Sequence, residues 1–360
     1  MHLKKTLLSL TLVVLLLLSA CGPATVQTTA PPTDEPTSAV TTVQTDPVET
    51  ETEPPATETD PPATEPADSE PAESTKPAEA GTPIVIKDMA DREVTLEKAA
   101  ERIVAVMPSD VEIIFALNAG DRLVGRGQYA DYPEAALEIA EVSSGQELNA
   151  EQVLALEPDL VLLTTMAQNT DQLEMIEKAG VKVAVSDAQD IEGVYEAIKM
   201  IGTLLGEEEK AEALTADMKA RFAALEEKAK KIDKSEKGTV YFEVSPLEFG
   251  LWTAGDNTFM QEIATMLGYE NAFADVDGWG EISEEQVLSR DPDTIVTVAM
   301  YFGEGPKPDE EIAGRTGWDE LKAVKEKRIF MANSDEFSRP GPRLADGAEA
   351  LFDFFYPDHD

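Results

Sequence analysis

The chain repeats itself. Glu151-Gln-Val-Leu-Ala-Leu-Glu-Pro158-Asp159-Leu-Val returns as Glu285-Gln-Val-Leu-Ser-Arg-Asp-Pro292-Asp293-Thr-Ile-Val. A shorter echo, Glu112-Ile113 with Leu117, returns as Glu262-Ile263 with Leu267 at the same internal spacing. Such a repeat calls for two lobes built on one plan. Each would carry the same helix-to-strand unit and a glutamate at the same place on an early helix.

The apolar runs around these repeats read as strands alternating with helices. Residues 84–88 and 93–96 alternate like a small hairpin. Residues 103–107 form a short buried run before a helix from about Ser109. Strands are expected at 123–125, 160–163 and 181–185, with helices at 170–179 and 191–205. The second half resumes with strands at 239–244, 294–298 and 328–331, a helix near 257–267 and a closing helix from about 343. Strands alternating with helices predict a mainly parallel sheet covered on both faces. The fold class expected is α/β, with two Rossmann-like lobes, residues 84–205 and 238–360, and a ligand cleft between them. In 206–237, Leu214, Met218, Phe222, Leu225 and Ile232 recur at helical steps. That spacing predicts one rigid linking helix of ~28 residues, about 42 Å long. Five apolar positions are too few for a coiled-coil dimer, so a monomer is expected.

Composition limits where folding can occur. Residues 22–83 hold 13 of the 23 prolines and 15 threonines, with almost no large apolar side chains. Such a segment cannot bury enough surface to offset its chain entropy, so disorder is expected there. Before it, Lys4 and Lys5 precede an apolar run to Ala20 that is short for a membrane span and reads as a signal peptide, residues 1–20. The run closes in Leu18-Ser19-Ala20-Cys21-Gly22, which resembles a bacterial lipoprotein box. Cys21, the one cysteine in the chain, is then the acylation site, and no disulfide within the chain is possible. Residues 21–83 become a Thr/Pro/Glu-rich stalk, reaching roughly 190 Å if fully stretched at ~3 Å per residue. The expected location is the extracellular face of the cell membrane, held by the lipid anchor, in a Gram-positive-type bacterium whose wall the stalk would cross.

Charge and histidine narrow the function. The formal net charge is −42, and residues 84–360 hold 58 acids against 26 bases. Nucleic acid is a poor partner for such a surface, because binding phosphates needs clustered Lys and Arg. His2 lies in the leader and His359 at the extreme tail, so no folded region is expected to contain a histidine. A Ser-His-Asp triad, a His-based metal cluster and a His acid/base are thereby excluded. No catalytic residue, metal or cofactor is expected, and the chain is read as a binder and not an enzyme. Paired acids are plentiful, but so many carboxylates produce pairs by chance.

Ligands of open α/β sheets sit in the crevice beyond the carboxyl ends of the strands. The loops expected there give the candidate contacts Ser109, Tyr129, Tyr132, Met166 and Gln168 in the first lobe. The second lobe gives Trp252, Trp279, Tyr301, Phe302, Arg339 and Arg343. Aromatic loops of this kind suit a large flat ligand with amide edges: rings pack on its face while Arg, Gln and Ser bond its rim. Taken alone, Arg339 and Arg343 read as a surface ion pair with acidic neighbours.

At the level of motifs, the chain resembles the helical-backbone class of ABC-transporter solute-binding proteins over nearly all of residues 84–360. The opening DMADREVTLEKAAERIVAVMPSDVEIIFAL is similar to that family's hairpin, Arg-Ile-Val strand and Pro-Ser loop before a Glu-bearing helix. DRLVGRGQYADYPEA is similar to the aspartate-tyrosine-proline turn of its cobalamin binders, and FSRPGPRLADGAEAL to its C-terminal loop and helix. Two departures stand out: Ala90-Asp91 replaces a hairpin Gly, and Ser143-Ser144-Gly145-Gln146 replaces a Gly-Gly-aromatic run. The resemblance implies a binding subunit that delivers a corrinoid such as cobalamin to a permease dimer with its ATPase subunits. Ferric siderophore or haem is the alternative within the family, and a stalked adhesive or structural lipoprotein is the alternative outside it. It further implies that Glu112 and Glu262, one per lobe, dock on arginines of the membrane subunits, and that Arg339 and Arg343 contact the ligand or the opposite lobe.

Overall fold

The computed structural model describes residues 83–143, 148–165, 170–301, 303 and 305–359. The segments expected to be a signal peptide and a stalk, with Cys21, lie outside them up to Pro83. So do Ser144 to Gln146, where the second departure from the family pattern falls.

The folded chain opens on an antiparallel hairpin, β1 (Ile84–Lys87) and β2 (Glu93–Leu96). Its turn holds Asp91 at φ 63° without a glycine. Asp88 supports that conformation, because its Oδ1 accepts from the backbone N–H groups of Ala90 (3.0 Å) and Arg92 (2.9 Å). One aspartate thus replaces the glycine of the family pattern.

The first lobe follows as β3 (Ile103–Ala105), α1 (Pro108–Ala116), β4 (Leu123–Gly127), β5 (Glu141–Val142), α2 (Ala150–Ala155), β6 (Leu160–Leu163), α3 (Thr170–Lys178), β7 (Lys182–Val185) and α4 (Ile191–Leu205). Its sheet runs β5-β4-β3-β6-β7, and every neighbouring pair is parallel. Successive strand residues alternate between two cores. Leu160 and Leu162 pack on the side of α1 and α4, whereas Val161 and Leu163 pack on the side of α2 and α3. The unbroken apolar run at 160–163 therefore records burial on both faces.

The linking helix is α5 (Glu208–Ala229), 22 residues and about 33 Å long. It is shorter than expected at both ends. Gly206, at φ 67°, closes α4 in the left-handed region, so the next helix has to start afresh. At the other end Asp233 is extended and its side chain accepts from Ser235 N–H, which diverts the backbone from the helix. Ile232 is buried as its spacing suggested, but it lies beyond the helix.

The second lobe comprises β8 (Thr239–Ser245), β9 (Trp252–Ala254), α6 (Phe259–Met266), β10 (Glu270–Asn271), β11 (Trp279–Glu281), α7 (Glu284–Arg290), β12 (Thr294–Thr297), α8 (Pro308–Ala313), α9 (Lys322–Lys325), β13 (Ile329–Met331), α10 (Ser334–Phe337) and α11 (Leu344–Phe355). Its sheet order is β11-β9-β8-β12-β13, with β10 also on β8. The strands β8, β12 and β13 are parallel, but β9 runs antiparallel to both of its neighbours, β8 and β11. A mainly parallel sheet was expected. The turn from Pro246 to Gly250 is too short for a parallel crossover, so β9 must reverse on β8. Trp252 and Trp279, expected in loops, begin β9 and β11 as a consequence.

The long repeat has a structural meaning. Asp159 accepts from the N–H groups of Glu101 and Arg102 just before β3, and Asp293 accepts from Thr239 N–H at the start of β8. Each Pro-Asp thus pins the first central strand of its own lobe. One apolar core runs from α1 and α4 through Met218, Phe222 and Leu225 of α5 to Phe352 and Phe355 of α11. This continuous packing joins the lobes as a stiff body. His359 belongs to the folded region, contrary to expectation: its Nε2 lies 2.7 Å from Glu236 Oε2.

Candidate functional site

Between the lobes lies a cavity of about 540 Å³. Its lining comes from the carboxyl ends of four strands. Met107 to Ser109 follow β3, and Gln128, Tyr129 and Asp131 follow β4. Ala299 to Tyr301 follow β12, and Met331 to Asp335 close β13. Ser338 to Pro340 complete the wall. Of the candidate contacts, Ser109, Tyr129, Tyr301 and Arg339 line it. Tyr129 is 62% exposed, a large ring standing free at the mouth. The 331–335 segment was missed, although the strand-end rule applied at residues 239–244 and 294–298 points equally to the end of β13.

The remaining candidates fall elsewhere. Met166, Gln168 and Phe302 lie outside the described residues. Trp279 lines a smaller neighbouring hollow with Met260, Met300 and Ser334. Its ring packs on Phe259 at 5.4 Å, and its Nε1–H donates to Gln189 Oε1 at 2.9 Å. Trp252 is exposed at the start of β9, between β11 and β8, and does not line the cavity. Tyr132 carries the Arg343 guanidinium 3.8 Å from its ring centre and does not line the cavity.

Two polar crossings tie the lobes together. In the first, Glu112 of α1 is 4% exposed. Its Oε1 accepts from Arg339 (3.0 Å) and Arg343 (2.7 Å), and its Oε2 from Arg343 Nε–H (2.9 Å). Arg339 also meets Asp131 (3.0 Å) and Asp335 (2.7 Å) and donates to the Tyr129 carbonyl. Burial works against the Arg343 charge, but the bonds to Glu112 outweigh it and its pKa is raised. Glu112 was expected at an exposed docking face; it is instead a buried member of an interlobe cluster, because the Ser338–Arg343 loop folds over it. Arg343 is held there and away from the cavity.

The second crossing uses Glu262 of α6. Its Oε2 accepts from Ile191 N–H at 2.7 Å, at the start of α4 in the other lobe. Phe259 N–H donates to the Gln189 carbonyl beside it (2.9 Å). Burial raises the Glu262 pKa, the Ile191 bond lowers it, and Asp190 and Glu192 add repulsion, leaving it raised.

Under the first lobe's strand ends sits Asp110, fully buried, with no hydrogen bond of ordinary geometry to either carboxyl oxygen. Burial pushes its pKa up to about 7; the neighbouring Ser186 hydroxyl opposes this and the Asp187 charge adds to it. Asp187 accepts from Thr164 (3.0 Å), Thr165 and Gln189 (3.2 Å). No group of acidic, Cys or His residues among the described residues could hold a metal ion.

Comparison with known proteins is consistent with this geometry. The periplasmic binding protein family matches residues 103–336. An uncharacterized ABC transporter substrate-binding lipoprotein of Bacillus subtilis is 37% identical over 296 residues, covering 81% of this chain and 91% of its own. A vitamin B12-binding protein of Salmonella paratyphi A is 33% identical over 257 residues, covering 70% and 89%. Among solved structures, a periplasmic haem-binding protein from Pseudomonas aeruginosa aligns with a TM-score of 0.66 and 28% identity, over 72% of this chain and 94% of that one.

Proposed function

From the premise that the chain belongs to the periplasmic binding protein family and is the substrate-binding protein of an ABC transporter, we propose that its cargo is a corrinoid, captured between the lobes. The observation that carries this reading is the state of Arg339, the one cation among the described residues lining the interlobe cavity. It is already engaged by Glu112, Asp131 and Asp335. A strongly anionic iron–catecholate complex would find no unpaired cation among the described lining residues, whereas a corrinoid rimmed by neutral amides needs none. Met107, Tyr129, Met300 and Met331 supply the apolar surface on which a flat macrocycle packs. The relative named for vitamin B12 supports the same cargo.

Calorimetric titration of the purified protein with cyanocobalamin, a ferric hydroxamate, a ferric catecholate and haemin tests the reading. Cobalamin should bind at micromolar affinity or tighter and the catecholate should not. Haem is the second reading, favoured by Tyr129 and Tyr301, which line the cavity from opposite lobes and offer phenol oxygens to an iron. A haemin Soret shift abolished by Tyr129→Phe or Tyr301→Phe, without cobalamin heat, would replace the corrinoid.

Delivery requires a permease with its ATPase. Docking through Glu112 would require opening a buried ion cluster, so we assign it to the acids of the longer repeat. Glu151 and Glu285 are both exposed, and each is the second residue of its helix, after the caps Asn149 and Ser283. Two matched charges at fixed separation set register on a two-fold partner. Glu151→Lys and Glu285→Lys should each cut transport strongly and leave ligand affinity unchanged. The lipid anchor at Cys21 is supported by the lipoprotein named above; Cys21→Ala should release the protein from membranes or leave it unprocessed.

A further inference from the structure

Beside the cleft, the second lobe holds another cavity, of about 640 Å³. Its walls are the turn from Pro246 to Phe249, the segment Ala299 to Tyr301, and Pro306 with the start of α8. Ala299, Met300 and Tyr301 line the interlobe cavity too, so a single wall divides the two spaces. Phe249 and Met300 stand 75% and 57% exposed at this wall and turn. Large apolar side chains presented together around a concavity are the ordinary signature of a ligand surface.

The charges in this second cavity decide what it accepts. Glu243 lies at the floor, Glu311 on the wall and Glu248 at the rim. Behind the floor, Arg315 donates to both Glu243 oxygens (2.7 and 2.9 Å) and to Glu311 (2.6 Å), so one guanidinium serves two carboxylates. Burial pushes the Glu243 carboxyl up and Arg315 opposes it. Whichever form Glu243 takes, Glu248 has no cation partner among the described residues, and none of the lining residues is Lys, Arg or His. Carboxylate or phenolate groups are repelled from such a pocket, while N–H donors on an apolar body are favoured.

We propose that this side pocket is a second subsite for the cargo, taking a limb that carries N–H donors and no negative charge. The carboxamide edge of a corrinoid and the ammonium tail of a hydroxamate iron carrier share that chemistry. The assignment rests on the reading that the interlobe cleft holds the cargo.

Matched ligand pairs test it by calorimetry on the whole protein. One pair sets cyanocobalamin against its monocarboxylic acids, each with one peripheral amide hydrolysed; the other sets ferrioxamine B against its N-succinyl derivative, whose tail ends in a carboxylate. For whichever scaffold binds, at least one altered member should bind about fivefold or more weaker, which corresponds to about 1 kcal/mol. Glu248→Lys should erase that preference while the scaffold still binds and the melting temperature stays put, since Glu248 makes no bond that the fold needs. Response of the first pair identifies a corrinoid and of the second a hydroxamate. The inference is overturned if every member of the binding pair binds alike, or if Glu248→Lys leaves the preference intact. If neither scaffold binds at all, the corrinoid reading of the cleft fails and the side-pocket assignment is overturned with it.

Discussion

The two lobe crossings start from equivalent places and end in different chemistry. Glu112 on α1 reaches the start of α11, and Glu262 on α6 reaches the start of α4. In each case an early helix of one lobe touches the start of the last helix of the other. The first crossing is a buried acid between two guanidinium groups; the second is an exposed acid on a single backbone N–H with two acids nearby. A repeat in sequence thus preserved position and let the partners diverge. The arginine crossing borders the interlobe cavity through Arg339 and Tyr129, so the stronger tie sits beside that cavity.

The largest effect should come from the arginine crossing. Glu112→Ala leaves two largely buried guanidinium groups without their shared carboxylate, and a buried pair broken on one side costs about 3–5 kcal/mol. Urea denaturation would read this as a lower midpoint. A loss under 1 kcal/mol would mean that Asp131 and Asp335 neutralise both arginines unaided.

Next comes Asp110, which adjoins the Asp187–Ile191 loop that carries the second crossing. Its folded pKa of about 7 lies above the unfolded value near 4. The folded state therefore holds the proton more tightly. The stability this gives is full below pH 4 and is lost as pH rises to about 7. At 1.36 kcal/mol per unit the loss is roughly 4 kcal/mol at most, and relaxation of the site should trim it to about 3. Asp110→Asn, neutral throughout, should lack this decline. Parallel pH profiles of the two proteins would show that Asp110 is ionised and solvated in the fold.

The smallest effect is expected at the other glutamate. Glu262→Gln loses a charged contact to the start of α4, worth about 0.5–1 kcal/mol. It also relieves repulsion from Asp190 and Glu192, so the net change at neutral pH should stay within about 0.5 kcal/mol. Thermal melts of Glu112→Ala and Glu262→Gln side by side measure the asymmetry directly. Equal losses would erase the distinction between the crossings.

Much of the fold was legible because it is periodic. The apolar run at 160–163 and the helical spacing at 191–205 leave few alternatives once strands and helices alternate. The antiparallel pairing of β9 was not legible, because a short Pro246-to-Gly250 turn gives no apolar signal of its own and tryptophans suit loops and strands alike. The site was half legible. Strand ends predicted Ser109, Tyr129, Tyr301 and Arg339, yet nothing in the local sequence tells whether Glu112 is exposed. Its burial depends on a loop more than two hundred residues away, as the Arg339 and Arg343 bonds show. The long repeat places Glu151 and Glu285 at matched positions, and both are exposed.

Capture of a corrinoid between the strand-end loops is tested most directly by hydrogen exchange with and without saturating cyanocobalamin. Exchange should slow at Gln128 to Asp131, Ala299 to Tyr301 and Ala332 to Asp335, while α4 and α5 keep their rates because the lobes are already joined by one core. Absence of any protection at those three segments, or protection centred on α4 and α5, would contradict it.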